Sequence, residues 1–363
     1  MNDLLFQPYS MRGLTLPNRI VVSPMAQYSA TNDGCSTDWH LVHYGNLSLS
    51  GAGLVIVEAT AVVPEGRVSP NCLGLWDDAH VDGLRRIVDF ARRPTSSLMG
   101  IQLAHAGRKA SVAQPWKGGA ALSEAEGGWK MWGASATPYP GRDEPICPDE
   151  ADLERIAQRY LAALKRADDA GFDLVELHAA HGYFLNTFLS PLSNFRDDQW
   201  GGDIEGRMRY PLAIFRRLRD AWPQQKAMGV RISVTDWVDG GWDVASSVVF
   251  AERLKALGCD YVAISSGGVS PDQKITVGPG YQVPAAAQVR TESGIAVMAV
   301  GMLSDPSVAN SVLTEGHADL VAIGRGALFN PRWSWHAGLT LKGEMRVADP
   351  YIRCHPSLRN LPR

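Results

Sequence analysis

Eight short runs rich in β-branched and other apolar residues recur along this chain, each separated from the next by a segment long enough to hold a helix. They are Ile20–Pro24, Leu54–Ala59, Leu98–Ala104, Asp173–His178, Ala227–Ser233, Tyr261–Ser265, Ala296–Val300 and Leu320–Gly324. Runs that are apolar nearly throughout suit strands buried on both faces. The intervening segments include amphipathic stretches of helical length at Asp149–Ala170, Glu205–Trp222, Val244–Leu257 and Pro306–Glu315. Pro148-Asp149 and Ser304-Asp305-Pro306 stand where helices start, and Gly171, Gly258 and Gly316 where they stop. Strands joined through helices pair in parallel, so eight such units in 363 residues predict an α/β fold, a (β/α)8 barrel of TIM type. No linker or change of composition divides the chain, and residues 1–363 read as one domain.

One connection is too long for an ordinary loop between strand and helix. After the third strand, residues 105–149 are rich in Gly, Pro, Trp and Ala and include Trp116, Gly118-Gly119, Trp129 and Trp132. Long loops in compact domains are functional more often than ornamental. This one leaves the C-terminal end of a strand, the face on which barrel enzymes build their sites, and it reads as a lid. Residues 343–363 read as a C-terminal tail.

Charge and cysteine usage narrow the function classes. A net charge of −3 supplies neither a basic surface for nucleic acid nor a polybasic membrane anchor. Met1 to Tyr9 lacks the basic start and apolar core of a signal peptide, and the longest apolar run, Leu54–Val63, is interrupted by Glu58. A cytoplasmic location is the resulting expectation. The five cysteines are scattered without a C-x-x-C pair, which argues against disulfides, zinc knuckles and iron–sulfur clusters.

The chemistry concentrates at the ends of the strands. His178, His181 and Tyr183 follow the fourth strand within one turn of each other. Two ring N–H groups converging on one point can hold a carbonyl oxygen as it gains negative charge, with a phenol beside them as proton donor. The same pair could ligate a metal or simply pack in the core. The other strand ends suit a flat, polar, phosphorylated ligand. Small residues and backbone amides at Ser23, Pro24, Met25, Ala26 and Ala59 let a planar ring lie close, and Gln102 can both donate to and accept from an amide-like edge. Arg231 brings a permanent cation. Gly301-Met302 and Gly324-Arg325, each read as opening a helix, form the phosphate site expected after the seventh and eighth strands of such a barrel.

In order along the chain stand Pro17-Asn18-Arg19-Ile20, Ser23-Pro24-Met25, Tyr28, Val57-Glu58-Ala59-Thr60-Ala61 and Gln102-Leu103-Ala104-His105-Ala106-Gly107-Arg108-Lys109. They are followed by Leu177-His178-Ala179-Ala180-His181-Gly182-Tyr183, Phe188-Leu189-Ser190-Pro191-Leu192-Ser193-Asn194, Pro279-Gly280-Tyr281-Gln282 and Ile323-Gly324-Arg325. This set resembles the old yellow enzyme family of FMN-dependent ene-reductases and is most similar to its xenobiotic reductase A and thermophilic-like branch. The resemblance covers nearly the whole chain. It implies FMN at the barrel mouth with its pyrimidine edge at Gln102 and Arg231, and a substrate carbonyl on His178 and His181 flanked by Tyr28 and Tyr183. It further implies NADPH or NADH as hydride donor and alternation of donor and acceptor in one site. The substrates it implies are small enones, maleimides or nitro compounds, and the assembly a homodimer or homotetramer.

The chain departs from the family pattern in places. Ala26 stands where the branch carries a cysteine under the flavin, Trp200 replaces a tyrosine and Gly206 an asparagine. The tail does not match closely, although Arg359 or Arg363 stands where relatives reach an arginine into a neighbouring subunit. Two rivals remain at this level: a catalytically silent flavin protein, and a zinc hydrolase using His105, His178 and His181.

Overall fold

The computed structural model describes residues 3–92 and 96–359, with side chains through Ser357. Strands β1 (Tyr9–Met11) and β2 (Leu14–Leu16) form an antiparallel hairpin. Eight further strands follow: β3 (Ile20–Val22), β4 (Leu54–Ala61), β5 (Leu98–Ala104), β6 (Leu174–Ala179), β7 (Ala227–Ser233), β8 (Tyr261–Ser265), β9 (Val297–Val300) and β10 (Leu320–Ile323). They close in sequence order into a parallel barrel, with β10 paired to both β9 and β3. The expected (β/α)8 architecture is therefore the one observed. The hairpin plugs the N-terminal end, where Met11 and Leu16 pack with Val21, Leu54, Leu174, Ala227 and Leu320 inside the barrel. The C-terminal end carries no such plug.

Strands β5, β7 and β8 have the limits read in the sequence, and the other five shift by one or two residues, two of them for a plain local reason. Pro24 has no N–H to give a ladder, and β3 stops at Val22. Asp173 does not begin β6: its carboxylate accepts the N–H of Met99 at 2.9 Å, which ties the preceding turn to β5 instead. Ten α-helices of five or more residues are described: α1 (Asp38–Ser48), α2 (Ala79–Ala91), α3 (Glu150–Asp169), α4 (Phe184–Leu189), α5 (Ile204–Ala221), α6 (Val244–Ala256), α7 (Val283–Ser293), α8 (Pro306–Thr314), α9 (Arg325–Phe329) and α10 (Trp333–Leu341). The carboxylates of Asp149, Asp203, Asp243 and Asp305 accept backbone N–H groups at the starts of α3, α5, α6 and α8, as N-cap chemistry requires.

Two of the departures from the family pattern have structural explanations. Trp200 donates from Nε1 to Glu150 at 2.7 Å and meets Tyr210 edge-on, fastening its loop to α3 and α5. Gly206 lies so close to the carbonyl of Gly201 that a Cβ would stand 2.0 Å from that oxygen.

The long connection at 105–149 holds no α-helix or strand, only short 3-10 turns and isolated bridges. It is nevertheless packed. Ala106, Ala110 and Met131 form a cluster with Val68, Trp129 and Tyr183, and the Trp129 indole donates to the carbonyl of Glu65 at 2.8 Å. Trp132 is buried, whereas Trp116 is 65% exposed. Of the two arginines read in the tail, Arg363 and the side chain of Arg359 lie outside the described residues.

Candidate functional site

The strand ends meet in a cleft of about 740 Å³ at the C-terminal mouth of the barrel. Ser23, Pro24, Met25, Arg231, Gly301, Met302, Gly324 and Arg325 all line it, so residues up to 302 positions apart in the chain share one wall. The cleft wall is uncrowded at Gly324, where a Cβ would come no nearer than 3.6 Å to the Met25 sulfur. One expectation needs correction. Gly324 does precede a helix, α9, but Gly301-Met302 does not: both residues have positive φ, 123° and 51°, and turn the chain into a loop that reaches α8 only at Pro306. The side-chain amide of Gln282 forces this path, because it donates to the Val300 carbonyl at 2.8 Å across the space a Cβ on Gly301 would fill.

Arg231 is the most exposing feature of the cleft. Its side chain is buried, Nη1 donates to Ser23 Oγ at 3.1 Å, and Nε has no partner. No carboxylate pairs with it among the described residues. Burial lowers its pKa, with Glu176 acting in the opposite direction. A buried guanidinium with spare donors is costly unless an electronegative group completes it.

Glu176, on the adjacent strand, is itself fully buried and accepts from Gln102 Nε2 at 2.7 Å and from the Tyr261 hydroxyl at 3.0 Å. A carboxylate only accepts, so the amide of Gln102 is oriented with Oε1 free as an acceptor. Ala59 pairs with Gln102 across β4 and β5. Ala26 and Tyr28 lie on the loop after β3. That loop is held by Glu58, which accepts the Gln27 N–H at 2.7 Å and the Tyr44 hydroxyl at 3.0 Å. Burial pushes the Glu58 carboxyl up to about 7. Tyr28, at φ 51°, meets the exposed Trp116 edge-on at 5.9 Å.

The imidazoles stand beside this cleft. His178 lies opposite Arg231 in the β6–β7 register, and its ring centroid is 5.0 Å from that of His181 and 4.8 Å from that of Tyr183. The hydrogen bonds assign the tautomers. His178 Nδ1 accepts the Ala180 N–H at 3.2 Å, so its proton is on Nε2, which donates to His181 Nδ1 at 3.1 Å. His181 then carries its own proton on Nε2, 2.6 Å from Ser265 Oγ. The two rings are thus bonded to one another and to Ser265, rather than both aimed at one point as the sequence reading expected. Burial, reinforced by Arg231, lowers the pKa of His178 to about 3 and that of His181 well below its ordinary value. Both rings are neutral donors near pH 7. Burial raises the Tyr183 hydroxyl far above its usual value and pushes Tyr28 up to about 12, so both phenols keep their protons.

His105 is not part of this group: it stacks on Phe184 at 4.6 Å and its Nδ1 accepts the Gly107 N–H at 3.0 Å. Among the described residues no three His, Cys, Asp or Glu side chains are placed to hold a metal ion. No described helix is long and apolar enough to cross a membrane. The sequence reading gave no individual role to Glu58, Tyr261 or Ser265, nor to Ser233, whose Oγ accepts the His181 N–H at 2.8 Å. A signal for the first existed, since a carboxylate inside an apolar strand must find partners; the serines carried none.

The residues present fit a flavin mononucleotide. Arg231 and the free acceptor of Gln102 match the carbonyl and N–H edge of a pyrimidine, and the open glycine ends with exposed Arg325 match a phosphate. Comparison with known proteins points the same way. The model of a family described as NADH:flavin oxidoreductase / NADH oxidase matches residues 4–342. The chain is 42% identical over 355 residues to an NADPH dehydrogenase of Geobacillus sp. (strain WCH70), covering 97% of this chain and 99% of that one. It is 39% identical over 353 residues to an NADPH dehydrogenase of Bacillus subtilis (strain 168), covering 96% and 98%. Among solved structures, morphinone reductase superposes with a TM-score of 0.78 at 27% identity, covering 96% of this chain and 92% of that one. An old yellow enzyme homologue from Zymomonas mobilis gives 0.77 at 25%, covering 94% of each.

Proposed function

The chain belongs to the NADH:flavin oxidoreductase / NADH oxidase family, FMN-dependent oxidoreductases of old yellow enzyme type, and from that premise we propose that it reduces the C=C bond of α,β-unsaturated carbonyl compounds. The observation that carries this reading is the neutral His178–His181 pair beside the cleft with Tyr183 over it. FMN, when bound, supplies the store of hydride between the nicotinamide donor and the acceptor. The residues of the chain do the rest.

His178 Nε2 gives its hydrogen bond to the acceptor's carbonyl oxygen in place of His181 Nδ1, and a turn of the His181 ring brings its N–H to the same oxygen. Withdrawal of density from the oxygen polarises the double bond toward its β-carbon. Neutral rings suit this task, because they stabilise the developing charge without themselves losing a proton. The proton for the α-carbon then comes from Tyr183, whose hydroxyl is protonated throughout the working range. Arg231 would hold the pyrimidine edge of bound FMN and supply positive charge there. The donor's carboxamide and the acceptor's carbonyl would share the pocket beside the imidazoles, so the two would occupy it in turn, which gives ping-pong kinetics.

The purified protein is expected to be yellow with one FMN per chain and to oxidise NADPH or NADH when cyclohexenone is supplied. A yellow protein that consumes no nicotinamide with cyclohexenone, maleimides or nitro compounds would leave a flavin protein without this activity. Tyr183→Phe is expected to slow acceptor reduction by about a hundredfold, the lower range for loss of a positioned acid, with FMN affinity unchanged. An unaltered rate would assign the proton to water.

A further inference from the structure

Next to the imidazoles the chain gathers cations without matching anions. Lys109 is half-buried, and its Nζ donates to the carbonyls of His181 at 2.9 Å and Gly268 at 2.8 Å. The same nitrogen lies 5.7 Å from the ring centroid of Tyr183 and 5.0 Å from that of Tyr139. Arg142 belongs to the turn that begins at Tyr139, whose carbonyl accepts the Arg142 N–H at 2.9 Å. Its guanidinium makes no hydrogen bond or ion pair among the described residues, and Nη1 is buried without a partner. Arg108 is 5.9 Å from the Tyr139 ring centroid, but its position is explained: its Nη atoms hold the carbonyls of Thr137, Pro138 and Val269, and buried Asp236 opposes its charge. Lys109 and Arg142 have no such opposing carboxylate.

Half-buried charge is screened poorly by salt and is stabilised mainly by a counter-charge. Here the cations work against one another: after burial, Arg108 and Arg142 are the causes that lower the pKa of Lys109 to about 8. The arrangement hangs on the backbone of His181, so whatever answers this charge sits beside a group already resting on the imidazoles.

We propose that Lys109 and Arg142 form an anion subsite that takes a carboxylate or phosphate carried by a ligand bound on His178 and His181. The proposal rests on the ene-reductase reading for the identity of that ligand. Two sources share the chemistry: an acceptor bearing a carboxylate near its enone, and the phosphates of the nicotinamide donor.

The test uses the holoenzyme and Arg142→Gln, a substitution that removes no hydrogen bond. With NADH as donor, kcat/KM is measured for 4-oxopent-2-enoate and for its neutral methyl ester. With the ester as acceptor, NADPH is compared with NADH. A loss of about tenfold for the acid alone, the effect of one partly desolvated charge pair, assigns the subsite to acidic acceptors. A loss of that size for NADPH alone assigns it to the donor's extra phosphate. If acid and ester, and both donors, keep their ratios in the variant, the subsite does not exist. Binding of the saturated 4-oxopentanoate and its methyl ester by calorimetry, at low and high salt, needs no turnover. An enzyme inactive on both acceptors that still binds the acid more tightly than the ester, and loses that preference in Arg142→Gln, would overturn the ene-reductase reading and keep the subsite. Equal affinities for acid and ester in the wild type would remove acidic acceptors from the subsite, and together with an unchanged NADPH/NADH ratio in Arg142→Gln would overturn the subsite alone.

Discussion

His178→Ala is expected to lower the rate of acceptor reduction by about a hundredfold or more, the usual consequence of removing one donor to a developing oxyanion. Reduction of the bound flavin by NADPH should fall far less. The substitution deletes the Nε2–H and also leaves the Ala180 N–H and His181 Nδ1 without their partner, so His181 loses its set tautomer as well. His181→Ala should act in the same direction, since it removes the second donor and the link to Ser265. Stopped-flow measurement of the two half-reactions separates the alternatives. Some loss in the first is consistent with a carboxamide that shares the pocket, whereas equal losses in both would remove the histidines from the acceptor's oxygen. The pH profile adds a second check. With His178 near 3, neither imidazole should impose a break on acceptor reduction between about pH 5 and 9, and a break near the ordinary histidine value of about 6.5 would contradict the neutral assignment.

The second large effect is expected at Arg231. Hydrogen bonds to a charged group contribute about 1.5–3 kcal/mol, so Arg231→Met should weaken FMN binding by roughly 10- to 150-fold. Titration of apoprotein with FMN, followed by quenching of flavin fluorescence, measures this directly. The same variant should not destabilise the apoprotein. Replacing a buried, incompletely paired guanidinium by an apolar side chain of similar reach is neutral or stabilising, and thermal unfolding without FMN should show an equal or higher Tm. Unchanged FMN affinity would mean that the orphaned Nε is not aimed at the cofactor. A large fall in apoprotein Tm would mean that Arg231 acts mainly through Ser23.

The sequence by itself determined the barrel and the local grouping of His178, His181 and Tyr183. Both are short-range properties. An apolar run bounded by turn residues declares a buried strand wherever it lies, and offsets of three and five residues past a strand end keep side chains together whatever the rest of the chain does. The convergence of Ser23, Arg231, Gly301 and Gly324 on one cleft also followed, once eight parallel strands were recognised, because closure puts every C-terminal end on one face.

What only the tertiary structure decided is the orientation of polar groups whose partners are remote. His181, its tautomer set through His178, directs its Nε2–H to Ser265, 84 positions away, and Gln102 is turned by Glu176, itself held by Tyr261 from another strand. The loop of Ala26 and Tyr28 depends on Glu58 and Tyr44, and the path after β9 on Gln282, which is why the expected helix at Gly301 is absent. Lys109 and Arg142 come within electrostatic reach of each other only because the long connection folds back on itself, with Trp132 bridged to Ile146. Buried donors and acceptors must be paired, yet their patterning has no period. Which partner each one finds is fixed by the closure of the barrel and the packing of its loops, and neighbouring residues in the chain carry no trace of it.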